Sequence, residues 1–297
     1  MFNKIIRSIN GILSLAAYTL NTIFWVLFIL IITIFKLVIP LTAWRNICSR
    51  ILNWFANAWV RVNILNQKIF SRVEIQVEGL EGLRLDNWYL VTANHQSWVD
   101  ILVLQNIFYG KIPFLKFFLK KELIWFPVLG AAWWALDFPF MKRYSVSYLK
   151  KHPHLKGKDL EITKKACEKF KNIPITVMNF VEGTRFKKDK HKRQNSPYNN
   201  LLKPKAGGLA FVLAAMEDQI HLILDVTIIY PDGRKTFWEF VCGDIRKIKV
   251  QVKCFPITEE IIGNYLQDRK FRIKFQQTLN TLWKKKDLYI SREIGKS

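Results

Sequence analysis

The sequence predicts an α/β fold, in which a largely parallel sheet is flanked by helices and preceded by an N-terminal membrane-anchoring helical segment. Two observations lead to this prediction. In the later part of the chain, short apolar segments with strand character alternate with segments of helical periodicity, as in parallel α/β domains. In the first part, a long stretch carries no charged residue. The 297 residues suffice for one such domain and its anchor.

The N-terminal segment has the length and composition of a membrane anchor. Residues 8–35 include no charged side chain, and roughly 20 apolar residues cross the hydrocarbon core of a bilayer. A signal peptide would have a shorter apolar stretch that ends at a small-residue cleavage site, so we expect the anchor to be retained. Tyr18, Asn21 and Thr22 make its first half less apolar. A tilted helix and a re-entrant hairpin both fit this pattern.

The next segment, residues 45–62, is predicted to be an interfacial helix. Apolar residues recur every three or four positions, with Trp and Arg at the edges of the apolar face. A helix packed on the soluble domain would have the same periodicity. We therefore divide the chain into an anchor with an interfacial helix, residues 1–73, and an α/β domain, residues 74–297. Basic residues are denser after the apolar run than before it, which predicts a cytoplasmic domain.

The α/β domain is predicted to alternate strands and helices. The strands are 86–93, 175–180, 222–230 and 248–254, and the helices are 101–107, 157–171, 206–216 and 266–288. Pro231-Asp232-Gly233 predicts a turn after the third strand. Residues 114–134 are apolar but contain Lys and Glu, so we expect a membrane-proximal segment whose Trp-rich part, 125–134, faces lipid.

The composition excludes a disordered chain and indicates an anionic partner. Half of the residues are hydrophobic, which is incompatible with general disorder. A net charge of +23 predicts nucleic acid, anionic lipid or a phosphorylated substrate as a partner. The four cysteines stand apart without a C-x-x-C pair, so we expect neither a zinc site nor a disulfide framework.

His95 is the histidine that the sequence favours for catalysis. It follows a predicted strand, beside a predicted helix cap at Asn94, and Asp100 stands five residues further on. In a continuous helix, five residues rotate by about 140°, so the two side chains would not share a face. If His95 lies in the turn, the carboxylate can fold back to one ring nitrogen and leave the other as a base. The alternative is a capping turn in which Asp100 only stabilises the helix start.

Several other polar residues are expected to be solvated. They are His152, His154, His191, His221 and most of the Lys-rich loop 187–193, for which headgroup or coenzyme phosphates are an alternative partner. Two cations differ from these. Arg185 ends the loop that follows the predicted strand 175–180, where ligands of open α/β sheets usually bind. Arg143 follows an apolar Phe-Pro-Phe segment. Guanidinium groups suit phosphate, although either segment taken singly is equally an ion-paired surface loop.

Taken together and in order, these segments resemble the glycerophospholipid acyltransferase family of lysophosphatidate acyltransferases. The resemblance covers residues 77–231. Residues 94–100 (NHQSWVD) match the family's NHxxxxD block, and residues 180–185 (FVEGTR) match its third block. Residues 120–143, with KKEL, Pro127, Gly130 and FMKR, look like the second block, and LKPKAG at 202–207 looks like the segment that follows the third.

The resemblance implies acyl transfer to a lysophospholipid. His95 would be the general base, oriented by Asp100, and the donor would be acyl-CoA or acyl carrier protein. The acceptor would be 1-acyl-glycerol-3-phosphate, giving phosphatidic acid. No metal or other cofactor is implied. The family positions for the acceptor phosphate and the site framework are Lys120, Arg143, Glu182, Gly183, Thr184 and Arg185. A simple ion pair between Glu182 and Arg185 is an alternative.

Residues 180–186, in the third block, and residues 225–230 (DVTIIY), in the fourth block, look more like one branch of the family. That branch contains eukaryotic lysocardiolipin-type acyltransferases and YihG-type bacterial inner-membrane proteins, which implies the cell inner membrane. Many bacterial lysophosphatidate acyltransferases have a proline where this chain has Val226-Thr227. Lysophosphatidylglycerol and lysocardiolipin are therefore alternative acceptors. Two other classes remain weaker alternatives, a hydrolase of the same lipids and a membrane-tethered nucleic-acid-binding protein. We expect no nucleic-acid partner, because no such binding signature is present.

Overall fold

The computed structural model describes residues 2–141, 161, 163–164, 167, 173–216, 219–258 and 261–296. The helices are α1 (Phe2–Val38), α2 (Thr42–Asn66), α3 (Val99–Phe108), α4 (Leu129–Ala135), α5 (Lys188–Gln194), α6 (Ala206–Ala215), α7 (Phe237–Val241) and α8 (Arg269–Ile294). The strands are β1 (Glu74–Glu78), β2 (Tyr89–Ala93), β3 (Leu115–Phe117), β4 (Leu119–Lys120), β5 (Phe140–Met141), β6 (Thr176–Phe180), β7 (Leu222–Ile229) and β8 (Lys247–Pro256). Most of the predicted helix 157–171 lies outside the described residues.

Six strands form one sheet in the order β1-β8-β7-β2-β6-β3, and β4 pairs with β5 separately. Neighbouring strands of the six-stranded sheet are parallel, except for the antiparallel pair β7 and β8. The predicted class, α/β with a largely parallel sheet, is therefore confirmed. All five residues of β2 are buried, as expected for a central strand that is covered on both faces.

Each face of the sheet has its own hydrophobic core, and the site lies where the two cores end. Val91 of β2 packs into the core that includes Leu104 of α3, whereas Leu90 packs into the core of α6 and α8. Ala93, the last residue of β2, is level with Phe180 of β6 and Val226 of β7. The segments that follow β2 and β6 therefore leave the sheet at one edge, side by side.

The N-terminal residues form one uninterrupted helix, α1, so the alternative of a re-entrant hairpin within residues 8–35 is wrong. α1 and α2 pack side by side in antiparallel orientation. Asn21 Nδ2 donates to Asn63 Oδ1 at 2.8 Å, and Ser14 Oγ donates to Asn66 Oδ1 at 2.8 Å. Two of the polar residues that make the first half of α1 less apolar, Asn21 and Thr22, thus contact α2, whereas the Tyr18 ring packs near Phe237 of α7.

One face of α2 matches the packing alternative for residues 45–62. Leu52, Ala56 and Val60 are buried in a small core with Ile29 of α1 and Leu136 after α4. An interfacial role for the opposite, more exposed face stays a prediction. The division of the chain at residue 73 also stays a prediction.

Much of α1 is exposed although it is apolar. Residues 3–38 are long and apolar enough to cross a membrane by length and composition, and 17% of their most apolar window is buried. α4 packs against α1, and the 3₁₀ turn Lys121–Trp125 packs against α4, so both bring further exposed aromatic side chains to this region. Trp125, Phe126 and Trp134 are among them. The predicted lipid-facing wall is therefore a solvent-accessible apolar surface.

Three local expectations are modified by the structure. The turn at residues 231–233 is present, and the segment after it is the short helix α7, which starts with a capping box of Thr236 and Glu239. Most of the loop 187–193, expected to be solvated, belongs to the helix α5, none of whose residues is buried. Strands β1 and β3 were not predicted, because the former is mostly exposed and the latter has only three residues.

Candidate active site

His95 lies in the loop between β2 and α3, just beyond the C-terminal end of β2. The side chain of Asn94 fixes this loop to β7, because its amide both donates to the Ile228 carbonyl and accepts from the Ile228 N–H, each at 2.9 Å. The expectation that Asn94 caps the helix is wrong, since α3 begins only at Val99. Its amide instead continues the hydrogen bonding between β2 and β7 beyond the last strand residue.

Asp100 lies in the first turn of α3, and its carboxylate folds back over the preceding loop. Oδ2 contacts Nδ1 of His95 at 2.9 Å and accepts from the N–H groups of Gln96 at 2.6 Å and Ser97 at 2.9 Å. The turn before α3 thus brings together two side chains that a continuous helix would separate. The N–H groups that Asp100 accepts belong to the turn before α3, and no side chain caps the helix start, so the carboxylate holds this turn together as well as contacting His95.

The hydrogen bonds of Asp100 determine the tautomer of His95. Backbone N–H groups only donate, so the Asp100 oxygen that they share is an acceptor. In the neutral imidazole, Nδ1 of His95 therefore carries the proton that points to Asp100, and Nε2 carries the lone pair. The imidazole stacks on Phe180 with 3.8 Å between ring centroids and an interplanar angle of 11°. One face of the ring and one nitrogen are thereby fixed.

Glu182 is completely buried beneath this loop. Its two oxygens accept the N–H groups of His95 and Leu202, each at 3.4 Å. The alternative of an ion pair with Arg185 is not what the structure describes, because the carboxylate faces these backbone groups. Gly183 follows with a φ of 69°, a conformation that other residues adopt with strain, so this glycine lets the chain turn away from β6.

Burial raises the pKa of Glu182 to about 8 from its ordinary value of 4.5, although the two N–H donors oppose the shift. Between these values, the folded chain keeps a proton that the unfolded chain has lost. The stabilisation by this group is therefore complete below pH 4.5 and is lost as the pH rises to about 8.

We expect the stability advantage of the wild type over Glu182→Gln to shrink across this pH range, with a slope of at most about 1.4 kcal/mol per pH unit. Unfolding of the two proteins in detergent, followed between pH 5 and pH 8.5, measures the difference. The amide of the variant does not titrate, so the pH dependence of its stability gives the contribution of all other groups, and the difference between the two curves gives that of Glu182. Parallel stability curves would contradict the raised pKa.

A group of cations lies beside the loop between β2 and α3, residues 94–98, which we call the histidine loop. The guanidinium of Arg185 lies 4.1 Å from the centroid of the Trp98 ring, and Thr184 Oγ1 accepts a hydrogen bond from Lys190 Nζ. The pKa of Lys190 is lowered by burial first and then by the neighbouring charges, which are Lys187, Arg185, Arg193 and Lys120. The structure thus gathers four of the predicted site residues on this side: Lys120, Gly183, Thr184 and Arg185. Arg143 lies outside the described residues.

Two residues that join this site were not predicted to belong to it. The hydroxyl of Tyr230 donates to Oδ1 of Asp100 at 2.6 Å. Arg234 donates to the side chain of Gln96 and to the carbonyl of Asn200, and it covers the ring of Phe186. Both follow β7 in the chain, far from residue 95. Only the pairing of β7 with β2 would have indicated that they are neighbours.

A third missed feature is a buried ion pair under the sheet. Lys286 Nζ of α8 donates to Oδ1 of Asp225 at 2.8 Å and to the carbonyl of Val226 at 2.7 Å. Thr92 of β2 donates to the same Asp225 oxygen at 2.9 Å. Burial lowers the pKa of Lys286, while Asp225 opposes this shift. The pair joins the last helix to the strands that carry the site.

The remaining polar groups near the site have structural contacts. Ser97 accepts from the Val99 N–H and donates to the Lys235 carbonyl, as suits a helix-start residue. His191, expected to be solvated, is half-buried, with Nε2 at 2.6 Å from the Tyr198 carbonyl oxygen. His221 is exposed as expected. Among the described residues, no three His, Cys, Asp or Glu side chains come together as metal ligands.

Comparison with protein families gives a match over more than half of the chain. The family model described as Acyltransferase matches residues 74–231 of this chain. These residues begin with β1 and end in the turn after β7, so they include both predicted sequence blocks around His95 and Glu182.

Two curated relatives have the same activity in their names. The chain is 24% identical over 238 residues to 1-acyl-sn-glycerol-3-phosphate acyltransferase 3 of Arabidopsis thaliana, which covers 73% of this chain and 58% of that protein. It is 24% identical over 127 residues to 1-acyl-sn-glycerol-3-phosphate acyltransferase alpha of Homo sapiens, which covers 42% and 40%. The chain thus spans about half the length of these relatives.

A solved structure has a similar fold. The crystal structure of the 1-acyl-sn-glycerophosphate acyltransferase of Thermotoga maritima superposes with a TM-score of 0.50 and covers 93% of this chain and 97% of its own. The two sequences are 18% identical, so the likeness concerns the fold.

Proposed function

This chain belongs to the acyltransferase family, and we propose that it moves a fatty acyl group from acyl-CoA or acyl carrier protein to the free hydroxyl of a lysophospholipid. The proposed acceptor is 1-acyl-glycerol-3-phosphate, and the product is phosphatidic acid. One observation carries the proposal. Asp100 holds His95 so that its Nδ1 is protonated and its Nε2 is available as a base, at a sheet edge beside a group of cations.

The proposed reaction needs no covalent intermediate on the protein. Nε2 of His95 takes the proton of the acceptor hydroxyl while the hydroxyl oxygen attacks the thioester carbon. The tetrahedral intermediate then expels the thiolate, which receives the proton from the imidazolium and leaves as the thiol. The carboxylate of Asp100 stabilises the imidazolium between these two steps. Ser97 is not a nucleophile in this scheme, because its hydroxyl is engaged by backbone groups.

The cations beside the histidine loop are proposed to bind the acceptor phosphate. Arg185 presents a forked donor that suits phosphate oxygens, and Lys120 and Lys190 add point charges nearby. Arg143 is proposed to join them. Gly183 and Thr184 would shape the loop that carries Arg185, and Glu182 would hold the backbone of His95 from below.

Attachment to a membrane is proposed to bring this site to its lipid substrates. The exposed apolar surface of α1, together with Trp125, Phe126 and Trp134, has the composition of a surface that contacts acyl chains. We place the protein at the cell inner membrane with the α/β domain in the cytoplasm, in keeping with the density of basic residues after α1. Membership of the YihG-type, lysocardiolipin-acyltransferase-like branch is part of the same proposal.

The proposal is tested with membranes that contain the wild-type protein and vector-only membranes as the baseline. Labelled acyl-CoA or acyl carrier protein is supplied with lysophosphatidate, lysophosphatidylglycerol, lysocardiolipin or no acceptor. We expect labelled phosphatidate above the baseline. Transfer only to another lysolipid would overturn the choice of acceptor, and release of free fatty acid without an acceptor would indicate a hydrolase. Product at the baseline with all acceptors would overturn acyl transfer.

The phosphate assignment is tested in the same assay by Arg185→Gln. We expect the KM for the acceptor to rise about 10- to 100-fold, because a hydrogen bond to a charged group contributes about 1.5–3 kcal/mol. Arg269→Gln is the matched control, since this arginine is the exposed first residue of α8. An equal KM in the two variants would contradict the assignment.

A further inference from the structure

The loop that follows β7 forms a second wall of the site. We call residues 230–235 the post-β7 loop. Tyr230 of this loop contacts Asp100 in the first turn of α3. Arg234 and the Lys235 carbonyl contact Gln96 and Ser97 of the histidine loop. The contact between Tyr230 and Asp100 is the one that reaches the group bonded to His95.

Tyr230 completes the set of donors around Asp100. Oδ2 has three hydrogen-bond partners, which are His95 and two backbone N–H groups. Among the described residues, the Tyr230 hydroxyl is the partner of Oδ1, at 2.6 Å, which is the length of a hydrogen bond to an ionised acceptor. Asp100 is inaccessible to solvent and Tyr230 is 4% exposed, so water has little room to replace the hydroxyl.

We propose that Tyr230 is a positioning residue that acts on His95 through Asp100. The inference rests on the proposed function, in which His95 is the base. The hydroxyl fixes the plane of the carboxylate and therefore the direction in which the imidazole is held. It also shares the negative charge of Asp100, which limits how strongly the carboxylate stabilises a proton on His95.

The second effect predicts a direction. Without the hydroxyl, Oδ1 loses its donor and the carboxylate interacts more strongly with the imidazolium. His95 then holds its proton to a higher pH, and less of it is available as a base near neutrality. The titratable groups that face this pair from the other elements are Glu182, Arg185 and Arg234, and removal of the Tyr230 hydroxyl leaves all three in place.

Tyr230→Phe is the test, and Tyr198→Phe is its matched control. The control also loses one hydroxyl of a buried tyrosine, which donates to the Asn280 carbonyl at 3.3 Å and has no contact with Asp100. The readout is the titration of ¹³C-labelled histidine in the full-length protein in detergent micelles, with the His95 signal assigned by its loss in His95→Gln. We expect the midpoint of the His95 titration to rise by about half a pH unit or more in Tyr230→Phe and to stay within 0.2 units, roughly, in the control.

Kinetics give a second readout. In Tyr230→Phe, we expect kcat/KM at neutral pH to fall about 10-fold and the acid limb of its pH profile to move to higher pH, whereas a loss of packing alone would lower the profile without moving it. A fluorinated tyrosine at position 230 keeps the ring and the hydroxyl but donates more strongly, so it should move the titration to lower pH even if the phenylalanine variant folds poorly.

An unchanged His95 titration in both the phenylalanine and the fluorinated proteins would overturn the inference. Because the titration does not need turnover, this result differs from failure of the proposed function, which would appear as missing acyl transfer by the wild type.

Discussion

Replacement of His95 by alanine should lower the rate of acyl transfer by about 10²–10⁴-fold, because a positioned general base contributes that much. The fold should survive. Asp100 keeps its two backbone donors and the Tyr230 hydroxyl, so its carboxylate stays satisfied without the imidazole. The measurement is the initial rate of phosphatidate formation from labelled acyl-CoA and lysophosphatidate, with equal amounts of protein in each membrane preparation.

His221→Ala is the matched control for this experiment. His221 is exposed and lies just before β7. Its backbone carbonyl accepts a hydrogen bond from the Ile257 N–H at 2.8 Å, which alanine retains. We expect the control to keep the wild-type rate within about twofold, since surface substitutions rarely matter. Equal activity of His95→Ala and the control would contradict the mechanism, and equal loss in both would point to assay or expression effects instead of base catalysis.

The contacts that the sequence predicts at this site are those between residues near each other in the chain. His95 and Asp100 are five residues apart, so a strand, a turn and a helix start suffice to predict that the carboxylate reaches the ring. Tyr230 meets Asp100 only because β7 pairs with β2 in a fixed register. Nothing local in the sequence specifies that register, and the same hydroxyl on an unpaired strand would be an ordinary buried tyrosine.

The same distinction explains the fold. Continuous apolar runs indicate buried elements, so β2, β6, β7 and α6 were predicted to within three residues of their observed bounds, whereas α8 was predicted to end at residue 288 and extends to Ile294. The role of Asn94 was mistaken because a helix cap and a bridge to a neighbouring strand use the same side-chain atoms. The polar residues of α1 were recognised as unusual for a membrane anchor, but their partners on α2 depend on a helix pairing that no short motif reveals.

Lys286→Met should destabilise the protein by about 3–5 kcal/mol, because it leaves Asp225 charged and without its cation in the interior. Asp225 is 3% exposed, and after the change the Thr92 hydroxyl would be its remaining donor among the described residues. We expect the midpoint of thermal unfolding in detergent to fall by about 5–8 °C, since an unfolding entropy of about 2.1 cal/mol/K per residue makes each kcal/mol equivalent to about 1.6 °C in a chain of 297 residues. Lys284→Met, an exposed neighbour on α8, is the control and should change Tm by little.

The double variant Asp225→Asn with Lys286→Met separates an uncompensated charge from lost packing. If the buried charge is the main cost, removing both charges should recover more than half of the lost stability, as in other buried pairs replaced by neutral residues. A double variant as unstable as Lys286→Met alone would instead assign the cost to other contacts of the lysine, such as that of Nζ with the Trp283 ring, whose centroid lies 4.7 Å away. The pair has a second consequence for the site. Lys286 also opposes the raised pKa of Glu182, so the double variant, which lacks this charge, should lose the stabilising proton of Glu182 at a higher pH than the wild type.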